Sequence, residues 1–226
     1  MRKEGEVVVK ILIAVPCFDM VATDFMRSLV DLEKPEGTVY TVIKNTLIYN
    51  ARNTIAANAV KMGFDRIMWF DSDVTFAPDT LVKMSKTMDN IGADILTGLY
   101  FTRKTPVKPV VFDNLVYNVR DDGIVESGAT YYEDYPRDAL TPVAGCGFGC
   151  VLTSVDLINR LGQKYGAPFT PMFGLGEDLS FCHRATKEGA SIWLDSTVKC
   201  GHIGQMEYDE GVYMRETGGG MYDCHY

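Results

Sequence analysis

The sequence predicts an α/β fold: a mostly parallel sheet flanked by helices, with a small antiparallel addition in its second half. Two observations carry this. Strand-like apolar runs alternate with helix-like segments three times within the first hundred residues, the pattern of parallel strands covered on both faces. From Pro106 the alternation gives way to closely spaced strand-like runs around a turn, the pattern of antiparallel pairs.

Residues 7–15 are continuously apolar apart from Lys10 and rich in β-branched side chains, which fits a strand buried on both faces. Pro16-Cys17-Phe18 stops it, and residues 19–32 set Met20, Phe25, Leu29 and Leu32 at near-helical spacing. Residues 38–43 read as a second strand. Residues 47–62 read as a helix, apolar at Ile48, Ala51, Ile55, Ala59 and Met62 and stopped by Gly63. A third buried strand follows at 66–70, a helix at 78–88 with Pro78 in its first turn, and a fourth strand at 93–99. Residues 107–119 and 123–125 read as antiparallel strands around Asp121-Asp122-Gly123, with loop at 131–136. A strand at 151–153, helices at 154–165 and 177–188, and a strand at 191–195 complete the pattern. Gly218-Gly219-Gly220 among tyrosines and charges marks 205–226 as a mobile tail or lid. The expected organisation is one folded domain over 1–204, divided near 105, plus that tail.

Composition narrows the function. The 226 residues carry 22 basic and 30 acidic side chains, a net charge of −8, which argues against tight nonspecific binding to DNA or anionic membranes. Arg103, Lys104 and Lys108 are the clustered exception. No apolar run approaches the roughly 20 residues of a membrane helix, so no membrane span is expected. Glu4, Glu6 and Lys10 speak against a signal peptide at 1–15. The six cysteines include no Cys-x-x-Cys pair, and we read them as reduced thiols of a cytoplasmic protein.

The densest chemistry is at 66–78, where an apolar strand runs into Asp71-Ser72-Asp73. If strand geometry persists through Asp73, both carboxylates point to one side, beyond the carboxyl end of a parallel strand where open α/β sheets bind ligands. Hard oxygen ligands there suit Mg²⁺ or Mn²⁺; the competing reading is a polar turn before Pro78. Glu177-Asp178 opens a helix after Phe173-Gly174-Leu175-Gly176, either as dipole-favoured capping or as a general base beside a glycine-lined approach. His202, within Cys200-Gly201-His202-Ile203-Gly204, is a ligand candidate or a structural histidine, and Cys200 and His202 with Cys146 and Cys150 form a zinc alternative. Gly145-x-Gly147-x-Gly149 precedes a strand, unlike a dinucleotide fingerprint, which follows one. Arg52 is either a surface arginine or a contact to diphosphate.

In order, these pieces resemble the GT-A-fold glycosyltransferases, especially the small stand-alone, DxD-containing members of the family-2-like group. Ile13-Ala14-Val15-Pro16, Ala51-Arg52-Asn53, Asp71-Ser72-Asp73, the three alternate glycines, Gly176-Glu177-Asp178 and His202 carry the likeness across about 8–204. The resemblance implies a single GT-A-like domain with a Rossmann-like sheet, its nucleotide-binding half at about 7–105 and its acceptor half at about 106–204. It implies a hexosyl- or pentosyltransferase, inverting, that uses a nucleoside diphosphate sugar, expected to be a UDP-sugar. By that likeness Asp73, Asp71 and His202 hold Mn²⁺ or Mg²⁺, with Asp71 also placed near the ribose. Pro16, Cys17, Phe18, Arg52 and Ser72 line the nucleotide site, Asp178 is the base, and Glu177 orients the acceptor. His225 replaces His202 if the tail folds over the site. The acceptor hydroxyl belongs to a glycan, a protein or a modified DNA base. A nucleotidyltransferase making nucleotide sugars is the second enzyme reading, although Pro16-Cys17-Phe18-Asp19 lacks the expected glycine- and lysine-rich loop. A catalytically silent nucleotide- or carbohydrate-binding module is the third.

Overall fold

A computed structural model describes residues 8–204 and 207–217. The chain opens with β1 (Ile11–Pro16), α1 (Thr23–Asp31), β2 (Val39–Ile43), α2 (Ile48–Met62) and β3 (Arg66–Phe70). β1 pairs in parallel with β2 on one side and β3 on the other. Its side chains divide by the two-residue period of a strand: Leu12 and Ala14 enter one core, Ile11, Ile13 and Val15 the other. α2 ends where Gly63 takes a left-handed conformation, φ 69°, its N–H closing on the last turn.

After β3 come β4 (Val74–Thr75), α3 (Thr80–Ile91) and β5 (Ile95–Leu99). The antiparallel addition is the hairpin β6 (Val111–Val119) and β7 (Val125–Tyr131), which turns at Gly123, φ 80°; beyond it lie β8 (Leu140–Pro142) and β9 (Gly145–Cys146), the latter paired to β6. Then follow β10 (Cys150–Ser154), α4 (Val155–Tyr165), α5 (Glu177–Lys187), β11 (Ile192–Lys199) and β12 (Gly201–Ile203). Ser154 caps α4 by accepting the Leu157 N–H at 3.1 Å.

The central sheet has seven strands in the order β2-β1-β3-β10-β5-β11-β8. Five share one direction, and β10 and β8 run against them. β10 lies between β3 and β5, a reversal that the alternation in sequence did not reveal. Helices α2, α4 and α5 cover one face and α1 and α3 the other. β2 is an edge strand, so Val39, Tyr40 and Val42 are exposed despite their apolar character.

The folded unit extends past the boundary expected at 204. β13 (Glu207–Tyr208) pairs with β12, and α6 (Glu210–Glu216) buries Val212 and Tyr213, the latter stacked on Phe101 with centroids 4.9 Å apart. Residues 207–217 of the expected tail are therefore packed, because Val212 and Tyr213 supply an apolar face that the glycines around them obscured. Residues 205–206 and 218–226, His225 among them, lie outside the described residues. Among the described residues no helix is long and apolar enough to cross a membrane.

Candidate active site

The carboxyl end of β3 is fixed by three backbone hydrogen bonds from three distant segments. Asp71 N–H donates to Gly149 O at 3.1 Å, Ala22 N–H to Ser72 O at 2.9 Å, and Ile203 N–H to Asp73 O at 2.8 Å. The chain turns here instead of continuing as strand, so the strand geometry on which a shared side for both carboxylates was expected does not persist through Asp73. The two carboxylates take different partners.

Asp71 faces inward. Its Oδ1 accepts from Arg52 Nη2 at 2.8 Å, and Arg52 Nε lies 3.8 Å from Glu177 Oε1. Arg52 is 2% exposed, packs over the Phe148 ring with Cζ 5.1 Å from its centroid, and leaves Nε and Nη1 without a hydrogen-bond partner. It is no surface arginine. Its neighbour Asn53 accepts the Phe169 N–H at 2.9 Å, anchoring the loop that leads to α5. Burial pushes the Asp71 carboxyl above its ordinary range, with Arg52 opposing the shift.

Glu177 and Asp178 sit in the first turn of α5, but its cap is Gly176 and no side chain closes it. Asp178 Oδ1 accepts the Leu179 N–H at 2.7 Å. Desolvation, reinforced by the Glu177 charge and opposed by Arg52, raises the Asp178 carboxyl to a pKa of about 6. A carboxyl at that value exchanges its proton close to neutral pH.

Asp73 meets a histidine and an exposed arginine. β12 pairs antiparallel with β4, setting His202 opposite Val74, and His202 Nε2 lies 3.6 Å from Asp73 Oδ1. The other ring nitrogen, Nδ1, lies 2.7 Å from the Phe101 carbonyl; since a carbonyl only accepts, Nδ1 carries hydrogen, and Nε2 is turned to the carboxylate. Arg103 donates to Asp73 Oδ2. Burial pushes the Asp73 carboxyl up, but His202 and Arg103 outweigh it and hold it below the ordinary range.

Two residues at the site went unread in the sequence. Tyr100 is buried, accepts the Gly149 N–H at 3.2 Å, and meets the His202 ring edge-on at 5.4 Å. It also accounts for two of the alternate glycines: a Cβ on Gly147 would stand 2.1 Å from its hydroxyl, and one on Gly149 2.8 Å from Cζ. The second is Arg103, which the sequence showed only as part of a basic cluster. That cluster is divided, since Lys108 pairs with Glu133 at 2.8 Å.

The remaining candidates lie close by. Pro16 ends β1, and Cys17 N–H donates to Ile43 O at 2.9 Å, placing this loop at the same edge of the sheet. Phe18 projects into solvent, 73% exposed, while its carbonyl accepts the Asn45 N–H at 2.7 Å. Ser72 contributes its carbonyl to Ala22. Among the described residues no three His, Cys, Asp or Glu side chains converge as metal ligands, which also removes the zinc alternative; Cys146 contacts Cys182 and Cys150 contacts Cys200 instead. Asp73 and His202 nonetheless bring a carboxylate oxygen and an imidazole nitrogen within 3.6 Å of each other, two groups able to hold a divalent cation such as Mn²⁺.

No family model matches the sequence, and no curated protein matches it. Solved structures do. A197 from STIV superposes with a TM-score of 0.63 at 17% identity, over 86% of each chain. GalNAc-T7, crystallised with UDP, GalNAc and Mn²⁺, gives 0.57 at 9% identity, over 87% of this chain and 43% of its own. S. aureus TarS 1-349 gives 0.51 at 15% identity, over 83% and 58%. The chain spans about half the length of these last two structures. The fold is the GT-A glycosyltransferase fold, as the sequence motifs implied.

Proposed function

We propose that this chain is a metal-assisted glycosyltransferase that moves a hexosyl or pentosyl group from a nucleoside diphosphate sugar to an acceptor hydroxyl. The observation that carries the reading is the meeting, at one sheet edge of this fold, of the facing Asp73–His202 pair and a carboxyl tuned to about 6, Asp178. The UDP and Mn²⁺ held by GalNAc-T7 support a UDP-sugar donor and a divalent ion. Asp73 and His202 would hold Mn²⁺ or Mg²⁺, with Asp71 acting through water or on the ribose; such an ion, when bound, offsets the charge growing on the departing diphosphate. The loop of Pro16, Cys17 and Phe18, with Ser72, forms the wall for the nucleotide. Arg52 supports that wall from beneath through Asp71.

Asp178 takes the proton of the acceptor hydroxyl as its oxygen attacks the anomeric carbon. The new carbon–oxygen bond forms opposite the breaking bond to diphosphate, so the configuration inverts. Glu177, held near Arg52, orients the acceptor. A base with a pKa of about 6 is mostly ionised at neutral pH yet still accepts a proton in the transition state.

The test is thermal unfolding with UDP, GDP, CDP and dTDP, each with Mn²⁺ or EDTA, for wild type and Asp73→Asn. A ligand at a hundred times its Kd adds about 2.7 kcal/mol. We expect a shift for one nucleotide that needs both metal and Asp73. Asp178→Asn is expected to keep that shift while lowering transfer about 10²–10⁴-fold. A wild type unmoved by every nucleotide refutes the donor class, and full transfer by Asp178→Asn refutes the base.

A further inference from the structure

The Asp73–His202 pair is already served by a cation of the chain's own. One nitrogen of Arg103, Nη1, donates both to Asp73 Oδ2 and, at 3.2 Å, to the Ile203 carbonyl. We propose that Arg103 is the resident counter-ion of the metal site: it competes with a divalent cation for Asp73, and once displaced it carries its charge to the donor's diphosphate. The proposal rests on the metal-assisted reading above.

Three features support it. The first is electrostatic. A guanidinium on one carboxylate oxygen repels a divalent ion arriving at the other, with an energy of a few RT even in a water-like dielectric. The second is mobility. Arg103 is 45% exposed and Asp73 28%, so the guanidinium leaves by changing rotamers. The loop that carries it is held at its ends, where Thr102 N–H donates to Lys108 O at 2.9 Å, Lys108 N–H to Thr102 Oγ1 at 3.0 Å, and Val107 N–H to Glu216 Oε2 of α6 at 2.7 Å. The third is the destination. Arg103 borders an open pocket of about 370 Å³ lined by Tyr100, Thr102, Lys104, Val110 and His202. That lining adds Lys104 to Arg103 and contains no carboxylate, the chemistry that receives a diphosphate.

The arrangement makes metal and donor binding cooperative. The metal alone must displace a bound guanidinium, whereas metal with diphosphate gives the guanidinium a new anion.

The experiment measures free Mn²⁺ by electron paramagnetic resonance in titrations of the full chain, with and without UDP. The proteins are wild type, Arg103→Gln, Arg103→Lys and Asp73→Asn. Without nucleotide, Arg103→Gln should bind Mn²⁺ about tenfold more tightly than wild type, and Arg103→Lys, which keeps the charge, should stay near wild type. UDP should tighten Mn²⁺ binding more in wild type than in Arg103→Gln. Equal or weaker Mn²⁺ binding by Arg103→Gln, with wild-type binding still lost in Asp73→Asn, overturns the proposal and leaves the metal reading standing. Mn²⁺ binding by none of the proteins, even with UDP, overturns the metal reading and the proposal with it.

Discussion

Asp71 and Asp73 stand two positions apart on one turn, yet each meets a different arginine in a different medium. Asp71 is paired to Arg52, which is 2% exposed and wedged over Phe148 beside Glu177. Asp73 is paired to Arg103, which is 45% exposed and free to change rotamer. The same chemical pair is a fixed strut on one side and an exchangeable contact on the other. The arginine's access to solvent decides which, since the two carboxylates are alike at 29% and 28% exposed: a guanidinium shut away from water cannot trade its partner for solvent, whereas an exposed one can.

Three substitutions sharpen or break that contrast. The largest effect is expected from Arg52→Met. It leaves Asp71 and Glu177 without their cation and should lower stability by about 3 kcal/mol, the low end of the range for a broken buried pair because the two carboxylates keep 29% and 18% of their side chains exposed. Urea unfolding reads this directly, and a loss below about 1 kcal/mol would place Arg52 on the exchangeable side.

Next comes Asp178→Asn, with the opposite sign. The folded carboxyl titrates near 6 against about 3.9 in an unfolded chain. The native state therefore holds its proton more tightly, and ionised Asp178 costs stability that grows from about pH 4 to about pH 6 and persists above. Asparagine should stabilise the fold by on the order of 2 kcal/mol at pH 8 and by almost nothing at pH 4. Thermal unfolding at the two pH values separates the outcomes, and equal midpoint shifts would mean that burial does not strain this carboxylate. The smallest effect belongs to Arg103→Met, under about 1 kcal/mol in urea.

Much of this was legible in the sequence where local rules suffice. The strand at 66–70 falls where the apolar run placed it, Gly63 stops its helix, and the turn at Gly123 joins the expected antiparallel pair. The chemical motifs were legible as residue types, with Asp71-Ser72-Asp73 standing straight after a buried strand. Which way each carboxylate turns was not, since that depends on Gly149, Ala22 and Ile203, each far from the motif in the chain. Arg52 carried a signal that went unused. It lies three and four positions before Ile55 and Ala56, so helical spacing sets it on the buried stripe of α2. Arg103 carried none, because its partner lies 30 positions away and only the fold joins them.

The reversed strand β10 has a consequence for how the molecule comes to exist. It fills the gap between β3 and β5, and its first residue, Cys150, sits opposite Phe70 at the mouth of the site. During synthesis the first hundred residues can pair β1, β2 and β3, but β3 and β5 each keep an open edge until residue 154 has emerged. Open edges recruit other chains, and the arrival of β10 closes both. The turn that holds Asp73 gains its last backbone bond only when Ile203 arrives. That turn is therefore complete only once β12 has emerged, and a chain cut short before β12 carries the acidic motif without this backbone support.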